Sequence, residues 1–168
     1  NTECFHYNTE LPAKEEINIT NIKNTYTGPY EKYSITMNNI GYLYLIGHGV
    51  EKDTTEAISW FYKSAELNNS FAQFNIGHMY YIGTEIKQNY AHAEKWFNKA
   101  AELGNTEALN ILAEIYEKKI SSTNDIQIIR SYQNYIVQLF DKSSSYGNIF
   151  GLYKFATYIE SQNIYEGF

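Results

Sequence analysis

Between residues 34 and 105 the apolar positions recur three and four apart, the spacing of helices that bury one face. Ala72, Ile76, Gly77 and Tyr80 form one such stripe, and Ala93, Trp96, Phe97, Ala100 and Ala101 form the next. Between stripes stand Gly47-His48-Gly49 and Gly83, where glycine can take the left-handed conformation that ends a helix. Helix starts are marked as regularly. Asp53 with Glu56 reads as a capping pair, Asn89 and Asp125 occupy related starts, and Asn69, Asn105 and Asn148 precede the first helix of successive units. The pattern predicts helix–loop–helix hairpins.

The hairpins repeat. A shift of about 36 residues lays 34–69 on 70–105 with about 15 identities. Among them Gly41 falls on Gly77, Tyr44 on Tyr80, Ala57 on Ala93, Trp60 on Trp96 and Phe61 on Phe97. A mid-helix glycine costs about 1 kcal/mol relative to alanine. Gly41 and Gly77 are therefore expected where the paired helix comes close, with Ala57 and Ala93 opposite and Trp60 and Trp96 filling the wider space beside them. A third unit, 106–148, is longer. Thr106–Lys118 is its first helix, with Ala108, Leu112, Ala113 and Tyr116 in register. Its second helix, Ile126–Tyr146, is expected to start about two turns early and project. A last helix over 149–161, carrying Gly151, Leu152, Phe155 and Ala156, is expected to cap the stack. Residues 1–30 match nothing in the repeat and read as an irregular arm, with a short helix at Ala13–Lys23; residues 31–168 form the repeat domain.

Composition narrows the function. There are 19 Asp and Glu against 13 Lys and Arg, with no dense basic block, so nucleic acid and anionic membrane surfaces are not the expected partners. No apolar run approaches a membrane span, and insertion in a bilayer is not expected. Cys4 is the only cysteine, which excludes an internal disulfide and a multi-cysteine zinc site. The chain begins at Asn1 rather than methionine, which leads to the expectation of a periplasmic or secreted protein whose signal has been removed. The 17 Tyr and 9 Phe exceed what helix cores require and leave rings for a surface.

Candidate chemistry is thin. His6, His48, His78 and His92 make no HExxH pair and share no helix face at ligand spacing. Gly47-His48-Gly49 lacks the strand and the Gly-Lys-Ser/Thr of a phosphate loop and reads as a helix terminator. Ser143-Ser144-Ser145 has no partnered histidine in register and reads as small packing and surface residues. Glu107, Glu114 and Glu117 read as a solvated acidic face rather than a catalytic pair. Asn18-Ile19-Thr20 and Asn68-Asn69-Ser70 fit the glycosylation pattern, which matters only in a eukaryotic secretory host. No catalytic, cofactor-binding or metal-binding residue is assigned, and no cofactor is expected.

The segments NNIGYLYLIGHGVEKDTTEAISWFYKSAELNN and FNIGHMYYIGTEIKQNYAHAEKWFNKAAELGN resemble Sel1-like repeats, relatives of the tetratricopeptide repeat. The resemblance rests on Gly41, Tyr44, Gly47, Gly49, Val50, Asp53, Ala57, Trp60, Lys63, Ala65 and their counterparts. Glu85 stands where the second loop glycine belongs, and the third unit lacks the glycine loop. The resemblance implies an all-α fold, an α/α superhelix of about three hairpins and a capping helix, serving as an adaptor or scaffold. Alignment with the tetratricopeptide pattern places the partner in a concave groove lined by first helices. Its residues would be Ile35, Asn38, Tyr42 and Leu45 in unit one, Phe71, Phe74, His78 and Tyr81 in unit two, and Glu107, Asn110, Glu114 and Glu117 in unit three. Such a groove, aromatic at one end and acidic at the other, suits a protein or peptide partner, with a basic one favoured. The readings that follow are a bacterial immunity or inhibitor protein neutralising a toxin or effector, a general adaptor in envelope or host-interaction signalling, and, behind both, a β-lactamase-like hydrolase suggested by cysteine-rich relatives whose cysteine framework is missing here.

Overall fold

The computed structural model describes residues 30–83 and 86–166. The arm expected over 1–30 lies outside the described residues except for Tyr30, which opens the first helix. Every regular element described is helical: α1 (Tyr30–Ile46), α2 (Thr54–Glu66), α3 (Ser70–Ile82), α4 (Tyr90–Glu102), α5 (Thr106–Ser121), α6 (Ile126–Ser145) and α7 (Ile149–Glu166). The chain falls into two compact units, one ending at Leu103 and one beginning at Gly104. In the first, α1 packs on α2, α2 on α3 and α3 on α4; in the second, α5 packs on α6 and α6 on α7.

The helix starts follow from the capping residues. Asp53 accepts from the backbone N–H groups of Thr55 and Glu56 at 2.9 and 3.0 Å, satisfying two donors of the first turn of α2. The Glu56 carboxylate does not complete a reciprocal box; it accepts from Trp60 Nε1 at 3.2 Å. Asn69, Asn105 and Asn148 cap α3, α5 and α7 by the same bond, accepting from the N–H three residues on at 2.9–3.0 Å. At the other end of α3, Gly83 sits at φ 72°, where a β-carbon would also collide with Gln88.

Within each hairpin a small residue lets a ring in. A β-carbon on Gly41 would lie 2.8 Å from the Phe61 ring and 3.0 Å from the Ala57 carbonyl oxygen. One on Gly77 would lie 2.9 Å from the Phe97 ring and 3.3 Å from the Ala93 oxygen. Phe61 and Phe97 are fully buried, each contributing about 1.5–3 kcal/mol through the area withdrawn from water. The glycine slot thus belongs to phenylalanine. Trp60 and Trp96 stay half-buried on the flank, with the Lys63 and Lys99 ammonium groups each 4.2 Å from a ring centroid.

The third hairpin keeps the plan with other residues. Ala113 takes the slot position, and Ile136, Leu139 and Phe140 fill the core from α6. Ser143 is wholly buried and its hydroxyl donates to Asn110 Oδ1 at 3.3 Å, so this serine is a packing residue. The first turns of α6 extend as expected, and Ile126 and Ile128 there are exposed. None of the described helices is long and apolar enough to cross a membrane.

Candidate partner-binding surface

Four of the twelve expected lining residues lie inside the first compact unit. Asn38 is wholly buried and its Oδ1 accepts from Asn75 Nδ2 at 3.0 Å, linking α1 to α3. Leu45 joins the cluster around Phe61, Ala65 and Ile76. Phe74 and His78, 2 % and 3 % exposed, stack at 5.8 Å, and Phe74 meets Phe97 at 5.5 Å. These side chains shape the helices behind a surface and do not form it.

The outward remainder is Ile35, Tyr42, Phe71 and Tyr81, all half-buried. Tyr42 packs on the Phe61 cluster, and Tyr81 stands edge-on to Tyr90 at 5.6 Å. Ile35 and Phe71 come together in a depression of about 260 Å³ at the turn from α2 to α3, completed by Ser34, Leu67, Asn68, Asn69 and Ser70. Its floor is fixed by side chains the sequence pattern did not single out. Ser64 Oγ donates to the Ser34 carbonyl at 2.6 Å, and Asn69 Nδ2 donates to Ser34 Oγ at 3.4 Å. Asn69 is the residue that caps α3, so one side chain starts the helix and holds α1 against it. The signal was available: Ser34 and Ser70 are identical across the repeat, as are Asn69 and Asn105.

In the second compact unit Glu107 and Glu117 are exposed, while Asn110 and Glu114 are half-buried. Asn110 is engaged by Ser143, and Glu107 accepts from Thr106 Oγ1 at 3.3 Å. The Glu117 carboxylate acts across to α7. Burial raises the pKa of the Tyr158 hydroxyl, and the negative charge of Glu117 raises it further. The aromatic set and the acidic set each lie within one compact unit. A further aromatic group, absent from the expected set, gathers here: Tyr116 meets Tyr132 at 5.1 Å and Tyr135 at 4.6 Å, with Lys119 Nζ 4.2 Å from the Tyr116 ring.

Of the histidines, His48 is half-buried in its loop and His92 is exposed on α4, with its ring 5.2 Å from Tyr80. His6 lies outside the described residues. Among the described residues no three His, Cys, Asp or Glu side chains gather as a metal site. What the first unit offers is a preformed notch of mixed polar and apolar lining with a hydrogen-bonded floor.

The Sel1 repeat family matches residues 34–69 and 70–105, the two spans already delimited by the paired glycines and caps. The chain carries two Sel1 repeats. The Sel1 repeat protein from Oxalobacter formigenes has a similar structure, with a TM-score of 0.69 and 28 % identity over 86 % of this chain. The protective antigen c5321 of uropathogenic Escherichia coli, which displays an SLR fold, matches in fold with a TM-score of 0.50 and 22 % identity over 74 % of this chain. This chain covers 56 % and 33 % of those two, so it spans only part of the length of either. Comparison with curated proteins finds no match. The helical fold of the described residues is that of the Sel1-repeat proteins, and Sel1-repeat proteins generally mediate protein–protein interaction.

Proposed function

We propose that the chain is a non-catalytic module that holds a protein or peptide partner against the outward residues of its first helices. The observation that carries this reading is the notch where Ile35 and Phe71 meet above the Ser34–Ser64–Asn69 network. At about 260 Å³ it falls below the roughly 300–1,000 Å³ of small-molecule pockets and suits an inserted side chain better than a whole ligand. The half-buried Phe71 ring is an anchor whose ordering costs little rotamer entropy. Glu107, Glu114 and Glu117 on the second unit favour a partner bearing Lys or Arg and raise its association rate.

The test is affinity capture from the native organism's extract with the wild type, a Phe71→Glu variant and a Glu114→Lys, Glu117→Lys variant, each checked for unchanged helicity. One protein held by the wild type and lost by the variants supports the reading; equal capture by all three refutes this surface. Stoichiometric capture of one enzyme, with its activity blocked, would make the module an inhibitor of the immunity type, whereas several partners would make it an adaptor. Turnover of a β-lactam reporter by the purified protein would overturn the non-catalytic reading.

A further inference from the structure

Each hairpin ends in one left-handed residue placed just before the next capping asparagine. Gly104 and Gly147 hold that place ahead of Asn105 and Asn148, at φ 84° and 76°. Ahead of Asn69 the place is taken by Asn68, at φ 58°. Among the described residues Asn68 alone combines a side chain beyond glycine's hydrogen with a positive φ. The turn asks only for that conformation, which glycine adopts freely and asparagine tolerates better than most side chains. At residue 147 a β-carbon would meet nothing within 4 Å, and the chain still uses glycine there. The turn does not account for a side chain at residue 68.

What Asn68 adds is a carboxamide in the lining of the Ile35–Phe71 notch. The residue is exposed, and its backbone N–H donates to the Ala65 carbonyl at 3.0 Å. Its carboxamide has no hydrogen-bond partner among the described residues. The polar groups of the floor, by contrast, are held to one another through Ser34, Ser64 and Asn69. The apolar walls are Ile35, Leu67 and Phe71, and no charged residue lines the notch.

We propose that the notch receives an extended peptide segment of a partner, with Asn68 pairing to its backbone while one uncharged side chain enters between Ile35 and Phe71. This inference rests on the notch being the partner site. A carboxamide carries the donor and acceptor of a peptide group, so it can accept from one backbone N–H and donate to one C=O. A helix has those groups already paired within itself. An extended segment brings them unpaired, and gains by meeting a group that satisfies both. The volume of about 260 Å³ admits a single side chain and not the face of a helix. With no charge in the lining, a Lys, Arg, Asp or Glu would be desolvated there without a counter-ion, so the entering residue is neutral.

The probe is a short peptide selected on the immobilised full chain from a random display library, then labelled and titrated by fluorescence anisotropy. Asn68→Gly is the variant that matters, because it installs the residue the other two turns use. Its Tm is expected to stay the same or rise, while affinity falls about tenfold or more. Replacing the peptide's amides by esters one at a time removes single N–H donors. One such ester should weaken binding to the wild type about tenfold and leave binding to Asn68→Gly unchanged, which ties that backbone group to this side chain. Binding lost in a Phe71→Glu variant of unchanged helicity but kept in Asn68→Gly overturns this inference and leaves the notch reading standing. Indifference to both variants overturns both. Selection of no peptide, or only of peptides that turn helical on binding by circular dichroism, overturns the extended-segment reading. A synthetic peptide of residues 1–29 that binds with the same sensitivity to Asn68→Gly would assign the notch to the chain's own arm and overturn the partner reading.

Discussion

Replacing Gly77 by alanine tests the close approach of α3 and α4. In an open helix the change is favourable by about 1 kcal/mol, because alanine restricts the unfolded chain and exposes less backbone. Here the new methyl would stand 2.9 Å from two carbons of the Phe97 ring, inside the distance real β-carbons keep. Phe97 is fully buried and meets Phe74 and Tyr81, so its ring cannot swing away without disturbing both. Overpacking of this kind costs about 1–3 kcal/mol, which leaves a net loss of up to about 2 kcal/mol. For a chain of this length that lowers Tm by about 2–4 °C per kcal/mol. Both tryptophans, Trp60 and Trp96, lie in the first compact unit, so their fluorescence during urea unfolding reports the affected half directly. In a Phe97→Leu background the clash is relieved and Gly77→Ala should be neutral or stabilising, a coupling of about 1–2 kcal/mol between residues in contact. Gly41→Ala should cost more than Gly77→Ala, because its methyl also approaches the Ala57 carbonyl oxygen to 3.0 Å and backbone yields less than a ring. If Gly77→Ala stabilises the wild type by the full helix-propensity increment, the close-approach argument fails.

Three further outcomes follow from buried polar contacts. Asn75→Leu removes the amide that donates to Asn38 Oδ1 and should cost about 1–3 kcal/mol by urea denaturation, most of it recovered when Asn38 is also made leucine. Asn69→Ala loses both the α3 cap and the bond to Ser34 and should exceed the roughly 1 kcal/mol of a cap alone, measured the same way. The Tyr62 hydroxyl, 3.2 Å from that of Tyr80, has its pKa pushed up to about 12 by burial first and by the neighbouring hydroxyl second. The folded state then holds this proton more tightly than the unfolded chain. The associated stability is complete below pH 10 and is lost as pH rises from 10 towards 12. Tyr62→Phe should therefore flatten the alkaline fall in Tm.

Much of the fold was legible because its signals are local. A capping asparagine or aspartate satisfies donors two or three residues away, so Asp53, Asn69, Asn89, Asn105, Asp125 and Asn148 could be placed without knowing the tertiary structure. The slot glycines were legible too, since a costly residue repeated mid-helix needs a contact to justify it. Its occupant was not: Trp60 and Phe61 are adjacent apolar residues about 100° apart on the helix, and only packing decides which of them points at Gly41. The surface residues divided by charge. Glu107 and Glu117 remain outside, as charged groups must unless paired. Phe74 and His78, expected to line a groove, are interior because α3 is packed between α2 and α4, so that no polar stripe marks its phase. Ser34 is marked by its identity with Ser70, whereas Ser64 has Ala100 at the equivalent position and its role depends on one backbone carbonyl, a contact that composition does not announce.

The eight consecutive residues Ala72–Met79 are all buried, so α3 presents no wetted side along two turns. A helix of that kind loses cover with either neighbour: a cut at residue 69 would uncover Ala72, Ile76 and Met79, which pack with Ala57, Phe61 and Ala65, and a cut at residue 83 would uncover Phe74 and Gly77, which meet Phe97. The 36-residue period of the sequence is therefore not the period of autonomous folding, and a fragment holding one repeat should collapse onto other copies of itself instead of standing alone. In amide exchange α3 would be the slowest element to open. Deletion, insertion or permutation of this chain is best made where helices show water a face, not at the seams that the sequence repeat draws.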